Sequence, residues 1–154
     1  MNNNDIFRRV RYIFDLSDYD VIDIFKLADC KVSRAEVISW LKRDDDESFI
    51  SMRDSSLSTF LNGFIALKRG KREGVRVVSE KSLNNNIILR KFKIALELKD
   101  EDIVKILFEA DFNFSKHEVN ALFRKKGHKH YRDCKDQILR NFLKGLQLIY
   151  RDKK

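Results

Sequence analysis

Along the first 70 residues, apolar side chains recur three and four positions apart in four separate runs. In the first, Ile6, Val10 and Ile13 stand at i, i+4 and i+7 with Phe7 and Phe14 beside them, the stripe of a helix buried on one side. A second run, from about Asp18 to Ala28, places Val21, Ile24, Phe25 and Ala28 on one face. The third opens with Ser33-Arg34-Ala35-Glu36, the spacing of a capping box, and then turns Val37, Trp40 and Leu41 inward. The fourth follows Asp54 and carries Leu57, Phe60, Leu61, Phe64 and Ile65, the most regular helical stripe in the chain. Proline is absent and there are only five glycines, too few turn formers for a sheet-rich fold. Val75-Arg76-Val77-Val78 alone suggests a short extended piece.

The same pattern returns 82 residues later. Asn2-Asn3-Asn4 recurs as Asn84-Asn85-Asn86, and the offset then holds without a gap through Arg8/Arg90, Leu16/Leu98, Ile24/Ile106, Ser33/Ser115, Glu36/Glu118 and Phe60/Phe142. About 21 of 71 aligned positions are identical, and many others exchange one apolar residue for another. Self-similarity over an ungapped window of this length is the mark of a duplicated unit. The expected fold is therefore all-α: two tandem four-helix repeats related by approximate internal symmetry. The first spans residues 1–72, a charged connector 73–83, and the second 84–154. A unit of about 70 residues has a marginal core, so the two repeats are expected to pack as one globular body. Gly63 and Gly145 lie inside the fourth helices, where glycine costs about 1 kcal/mol relative to alanine. Close approach of another helix would explain its presence in both copies.

Duplication also sorts the polar residues. Asn4/Asn86, Asp18/Asp100 and Asp54/Asp136 are expected as N-caps of the first, second and fourth helices, and Ser33/Glu36 with Ser115/Glu118 as capping boxes. Left over are Arg8/Arg90, Asp20/Asp102, Asp29/Asp111 and the remaining asparagines. An ion pair from Arg8 to a retained aspartate, fixing helix one to helix two or to the other copy, is the structural explanation. The functional one is an inter-repeat polar site made of Asn3, Arg8, Asn85 and Arg90.

Charge adds an asymmetry. Residues 1–82 hold 15 Lys/Arg against 14 Asp/Glu, whereas residues 83–154 hold 17 against 10. Only the second repeat has a net electrostatic reason to approach a phosphate. Its segment from Glu109 to Val119, like Leu27 to Val37 in the first, resembles a helix-turn-helix, with helix three as reader. Lys116, Asn120, Arg124, Lys125 and Lys126 are then the candidate nucleic-acid-binding residues. The turn is one residue shorter than the motif and lacks its glycine, and in the first copy the helix runs into Asp44-Asp45-Asp46-Glu47. A plain helical hairpin within a bundle is the competing reading.

Other chemistries find little support. His128, His130 and Cys134 cluster, but Asp46, Ser48 and Met52 stand at those places in the first copy and the spacing matches no common zinc pattern. There is no glycine-rich phosphate loop, nucleophile elbow or HExxH. No catalytic residue, metal or cofactor is nominated. The longest apolar runs fall short of the roughly 18 residues that cross a bilayer, and two cysteines at non-equivalent positions argue for a reducing cytoplasm.

The combination Asn3-Asn4-Asp5-Ile6, Arg11-Tyr12-Ile13, Phe60-Leu61-Asn62-Gly63 and Lys68-Arg69-Gly70, followed by a second Asn-Asn-Asn-Ile unit, resembles the YehS-like family of bacterial proteins over essentially the whole chain. That resemblance implies a tandem domain of unknown function and carries over no catalytic or binding residue. The function expected is a non-enzymatic cytoplasmic binding module whose partner is a protein or an anionic ligand. A DNA- or RNA-binding protein using the basic second repeat is the alternative, and an enzyme with a site between the repeats a third.

Overall fold

Eight α-helices in two sets of four, with no strand among the described residues, make up the computed structural model, which describes every residue except Arg72, Val75, Arg76 and Lys154. The extended piece expected at Val75–Val78 falls partly outside the described residues. The chain divides into two compact units, Met1–Leu83 and Asn84–Lys154. In the first lie α1 (Asn3–Ile13), α2 (Asp18–Leu27), α3 (Arg34–Leu41) and α4 (Asp54–Arg69). In the second lie α5 (Asn85–Ala95), α6 (Asp100–Glu109), α7 (Lys116–Ala121) and α8 (Asp136–Gln147), which runs on into a π-helical turn, Leu148–Asp152. The bounds of α1 and α5, and of α2 and α6, coincide at the offset of 82. The architecture is all-α and repeated, as the periodicity predicts.

The connector does not float between the units at its C-terminal end. Ser58 Oγ donates to Glu80 Oε1 (2.6 Å) and accepts from the Glu80 N–H (3.0 Å), and the Leu83 N–H donates to Asp54 Oδ2 (2.8 Å). The first unit therefore extends to Leu83.

The stripes read from the sequence are the buried faces. In the first unit Ile6, Phe7, Val10, Ile13, Val21, Ile24, Phe25, Val37, Trp40, Leu57, Phe60, Leu61 and Phe64 are buried. Four aromatic rings meet at its centre. Phe7 lies edge-on to Phe60 (4.9 Å) and Trp40 (6.0 Å), while Phe25 stacks on Trp40 (5.5 Å). The second unit fills the same space with leucines at 89, 107 and 122, and restores bulk with Phe92, where the first unit has Val10. Such volume-conserving exchange is what a close-packed core tolerates.

Within each unit the most extensive helix pairing is α2 on α4, and α6 on α8. The retained glycines are the reason these pairs can close. A Cβ added at Gly63 would fall on the Ile24 carbonyl oxygen, and one at Gly145 on the Ile106 carbonyl oxygen. The approaching helix is thus the second helix of the same unit, backbone against backbone.

The caps differ from the sequence expectation by one or two residues. Asn2 and Asn84 cap the first helices, accepting from the Asp5 N–H (2.8 Å) and the Ile87 N–H (2.8 Å). Ser17 caps α2, with Asp20 as its capping-box partner, and Asp102 plays that part toward the Lys99 N–H (2.7 Å). Asp18, Asp100, Asp54 and Asp136 are instead the first helical residues, where their charge faces the positive end of the helix dipole. The capping boxes Ser33/Glu36 and Ser115/Glu118 form as expected. Asp29 and Asp111 are retained because both follow a helix with φ of 58°, a left-handed conformation that Asp adopts more readily than most residues.

Asn4 and Asn86, expected as caps, are buried pins. The Asn4 amide donates to the carbonyls of Trp40 and Ile50 (both 2.9 Å), and its Oδ1 accepts from the Met52 N–H (2.9 Å). Asn86 does the same with Leu122 (3.0 Å), Arg132 (2.9 Å) and Cys134 (2.9 Å). Each side chain ties the first helix of its unit to both ends of the long loop before the fourth.

Two stability predictions follow from this packing. Gly63→Ala should destabilise the protein by about 1–3 kcal/mol through overpacking, reversing the gain of about 1 kcal/mol that helix propensity alone would give; urea denaturation reads the sign. Asn4→Asp, although nearly isosteric, replaces two N–H donors by an oxygen facing two carbonyls. It should lower stability by about 2 kcal/mol or more, and Asn86→Asp should do the same in the second unit.

Candidate functional site

Asn3 and Asn85, two of the four residues proposed for an inter-repeat polar site, are engaged in the same way, each within its own unit, and Arg8 and Arg90 nearly so. Asn3 donates to the Met52 carbonyl (3.0 Å) and to Asp54 Oδ1 (2.7 Å); Asn85 donates to the Cys134 carbonyl (3.0 Å) and Asp136 Oδ1 (2.7 Å). Arg8 does not reach a retained aspartate. It donates to the Lys42 carbonyl at the end of α3 (2.8 Å) and to Asp5 (2.8 Å), while Arg90 donates to the Phe123 carbonyl just after α7 (3.1 Å). A guanidinium at a helix C-terminus satisfies carbonyls that have no partner in the helix.

The ion pair expected from Arg8 exists one turn further along. Arg11 lies 3.3 Å from Asp18 in the first unit, and Lys93 lies 2.8 Å from Asp100 in the second. Scoring identities misses this pair, because Arg and Lys count as a change although the bridge is kept.

The five candidate nucleic-acid residues separate into two groups. Lys116 and Asn120 lie on α7, which has only six residues, and they turn toward α6. Asn120 donates to Asp100 Oδ2 (3.0 Å) and Lys116 stands 3.7 Å from Glu101. Burial opposes ionisation of Asp100, but the hydrogen bonds from Lys93 and Asn120 outweigh it and leave its pKa lowered. Arg124, Lys125 and Lys126 come after the helix, in the loop that Asn86 pins.

Those three, with Arg90, line a recess of about 240 Å³ together with Asn84, Asn86, Ile87, Leu122 and Tyr131. Arg124, Lys125 and Lys126 are exposed, and among the described residues no carboxylate pairs with any of them. Burial first, and then the Asp133 carboxylate, hold the Tyr131 phenol above its ordinary pKa, so it stays neutral.

A recess occupies the corresponding place in the first unit, lined by Asp5, Arg8, Leu41, Arg43, Asp44 and Asp45. Its charges pair among themselves: Arg8 with Asp5 (2.8 Å) and Asp44 (3.8 Å), Arg43 with Asp45 (3.4 Å). Between the copies Asp5 becomes Ile87, Asp44 becomes Lys126 and Glu47 becomes Lys129. One scaffold position therefore presents a self-neutralised surface in the first unit and uncompensated positive charge in the second.

The histidines and cysteine of the second unit do not converge. His128 and His130 rings stand 5.5 Å apart on the surface, with His128 Nδ1 accepting from the His130 N–H (3.0 Å). Cys134 is buried against the asparagine pin, and burial pushes its thiol up to about 12. Among the described residues no group of three His, Cys, Asp or Glu side chains could hold a metal. No helix of the described residues is long and apolar enough to cross a membrane.

Asp54 supplies a pH test of the triplet. The Asn3 amide, and after it the Leu83 N–H, hold its carboxyl below the ordinary 3.8. A lowered folded-state pKa means stabilisation that is complete above 3.8 and drains away as pH falls through the folded value. Asp54→Asn should therefore lower the urea midpoint at neutral pH but flatten its decline below pH 3.8; an unchanged acid slope would show that the carboxylate is not linked to folding.

A model of a family described as a protein of unknown function, DUF1456, matches the chain twice, over residues 3–70 and 85–152. The chain is 43% identical over 147 residues to the uncharacterized protein YehS of Escherichia coli (strain K12), covering 95% of this chain and 94% of that protein. No solved structure matches. With both helical units matched and a relative that aligns almost end to end, the chain belongs to the YehS-like family of tandem helical proteins of unknown function.

Proposed function

We propose that the protein is a non-enzymatic binding module, and that its second unit holds the phosphate backbone of a nucleic acid. The observation that supports this reading is the set of unpaired cations Arg124, Lys125 and Lys126 around a recess whose duplicate in the first unit is neutralised by its own aspartates. Exposed cations without carboxylate partners release counterions when phosphates replace them, which makes binding favourable and strongly salt-dependent. Lys129, exposed in the same loop, extends the surface.

The binding element in this reading is the loop after α7 rather than helix three itself. Six residues make fewer than two turns, and Asn120 is already committed to Asp100. A helix held this way presents little to a major groove, whereas an exposed loop can follow a backbone. The arrangement favours contact with phosphates over reading of sequence. The free cysteines, Cys30 and Cys134, suit a reducing cytoplasm.

Fluorescence anisotropy with a labelled oligonucleotide at two salt concentrations tests the proposal. Wild-type binding should weaken with salt with a log–log slope of about −2 to −3, the value for three or four neutralised phosphates. The variant Arg124→Ala/Lys125→Ala/Lys126→Ala should lose most of that affinity and slope, while Arg43→Ala in the first unit should leave both unchanged. Absence of binding at low salt, or a triple variant that binds like the wild type, would overturn the reading.

A further inference from the structure

The recess is more than a patch of charge, because apolar side chains line it beside the cations. Ile87 and Tyr131, both half-buried, line it together with the exposed cations of the loop, and the buried Leu122 closes it off from the core. A phosphodiester backbone alone has nothing to place against such side chains. A duplex keeps its bases stacked inside and offers only phosphates and groove edges to a protein loop. A single strand can turn a base outward, and single-strand sites commonly combine a cationic track with an aromatic ring under the bases. Tyr131 supplies the ring here. In the first unit the equivalent Phe49 does not line the recess, and Asp5 stands where the second unit has Ile87.

Building on the phosphate-binding reading, we infer that the recess of the second unit seats one unstacked base of a single-stranded nucleic acid: the base lies against Ile87 and Tyr131, and the adjoining phosphates lie on Arg124, Lys125 and Lys126. The volume of about 240 Å³ suits one base and its sugar rather than an extended groove. The protein is thereby selective for single strands over duplexes, with little preference among sequences, since every base has a face to stack.

Three labelled probes of equal length test this on the full chain: a mixed-sequence single strand, the same strand in a duplex, and an abasic strand that keeps the phosphates but lacks bases. The single strand should bind about tenfold more tightly than the abasic one, and more tightly than the duplex. Tyr131→Ala should bring the single strand to the level of the abasic probe, and Tyr131→Phe should keep the difference. Should Tyr131→Ala fail to fold, Ile87→Asp serves in its place, since it installs the residue that the first unit carries at that position. Equal binding of the base-bearing and abasic strands would overturn the base pocket and leave the phosphate-binding reading standing. No salt-dependent binding of any probe would overturn both.

Discussion

A single buried carboxamide organises each unit. Asn4 and Asn86 sit in the first helix and reach across to a carbonyl at the end of the third helix and to a carbonyl and an N–H of the loop that precedes the fourth. That loop is long and contains no secondary structure of its own that would satisfy those groups. Buried backbone groups need partners, and one asparagine supplies three at once. Only an amide presents two donors and an acceptor at a single side-chain end, so neither Asp nor an apolar residue of similar size could replace it. The first asparagine of the triplet caps the helix and the second holds the aspartate that opens the fourth helix. The three consecutive asparagines thus perform three different tasks.

The second constraint is backbone proximity between the second and fourth helices. Gly63 and Gly145 leave room for carbonyl oxygens of α2 and α6 at a distance no side chain would permit. The loss of helix propensity is small beside the packing gained by closing two helices along their lengths. With the loop pinned and these helices fixed, the remaining core tolerates exchange. Phe7, Phe25 and Trp40 of the first unit become leucines in the second, and Val10 becomes Phe92.

A scaffold held by so few fixed points lets its surface diverge. The loop after the third helix is tethered from inside by asparagine, so its outward residues change without disturbing the fold. The first copy places Asp44, Asp45, Asp46 and Glu47 there, with Arg8 and Arg43 pairing the first two; the second places Lys125, Lys126 and Lys129. Duplication with a charge change in one loop gives two units of the same architecture, the first nearly neutral and the second strongly positive.

Periodicity alone determined that the chain is helical, where the helices lie and which faces are buried, because an amphipathic stripe records its own burial. The offset of 82 determined the duplication, and it also marked the glycines, the asparagines and the capping boxes as residues with work common to both copies. Their partners were not legible. What distinguishes Asn4 from a cap is the pair of carbonyls beside it, Trp40 at the end of α3 and Ile50 in the loop, which belong to chain segments 36 and 46 residues away. At the position of Arg11 and Lys93 chemistry, not identity, is kept between the copies. The separation of Lys116 and Asn120 from Arg124, Lys125 and Lys126, and the recess that the latter share with Ile87 and Tyr131, arise where α5 and the post-helical loop meet. Sequence specifies each element locally, whereas a recess exists only in the space between elements, which tertiary packing alone defines.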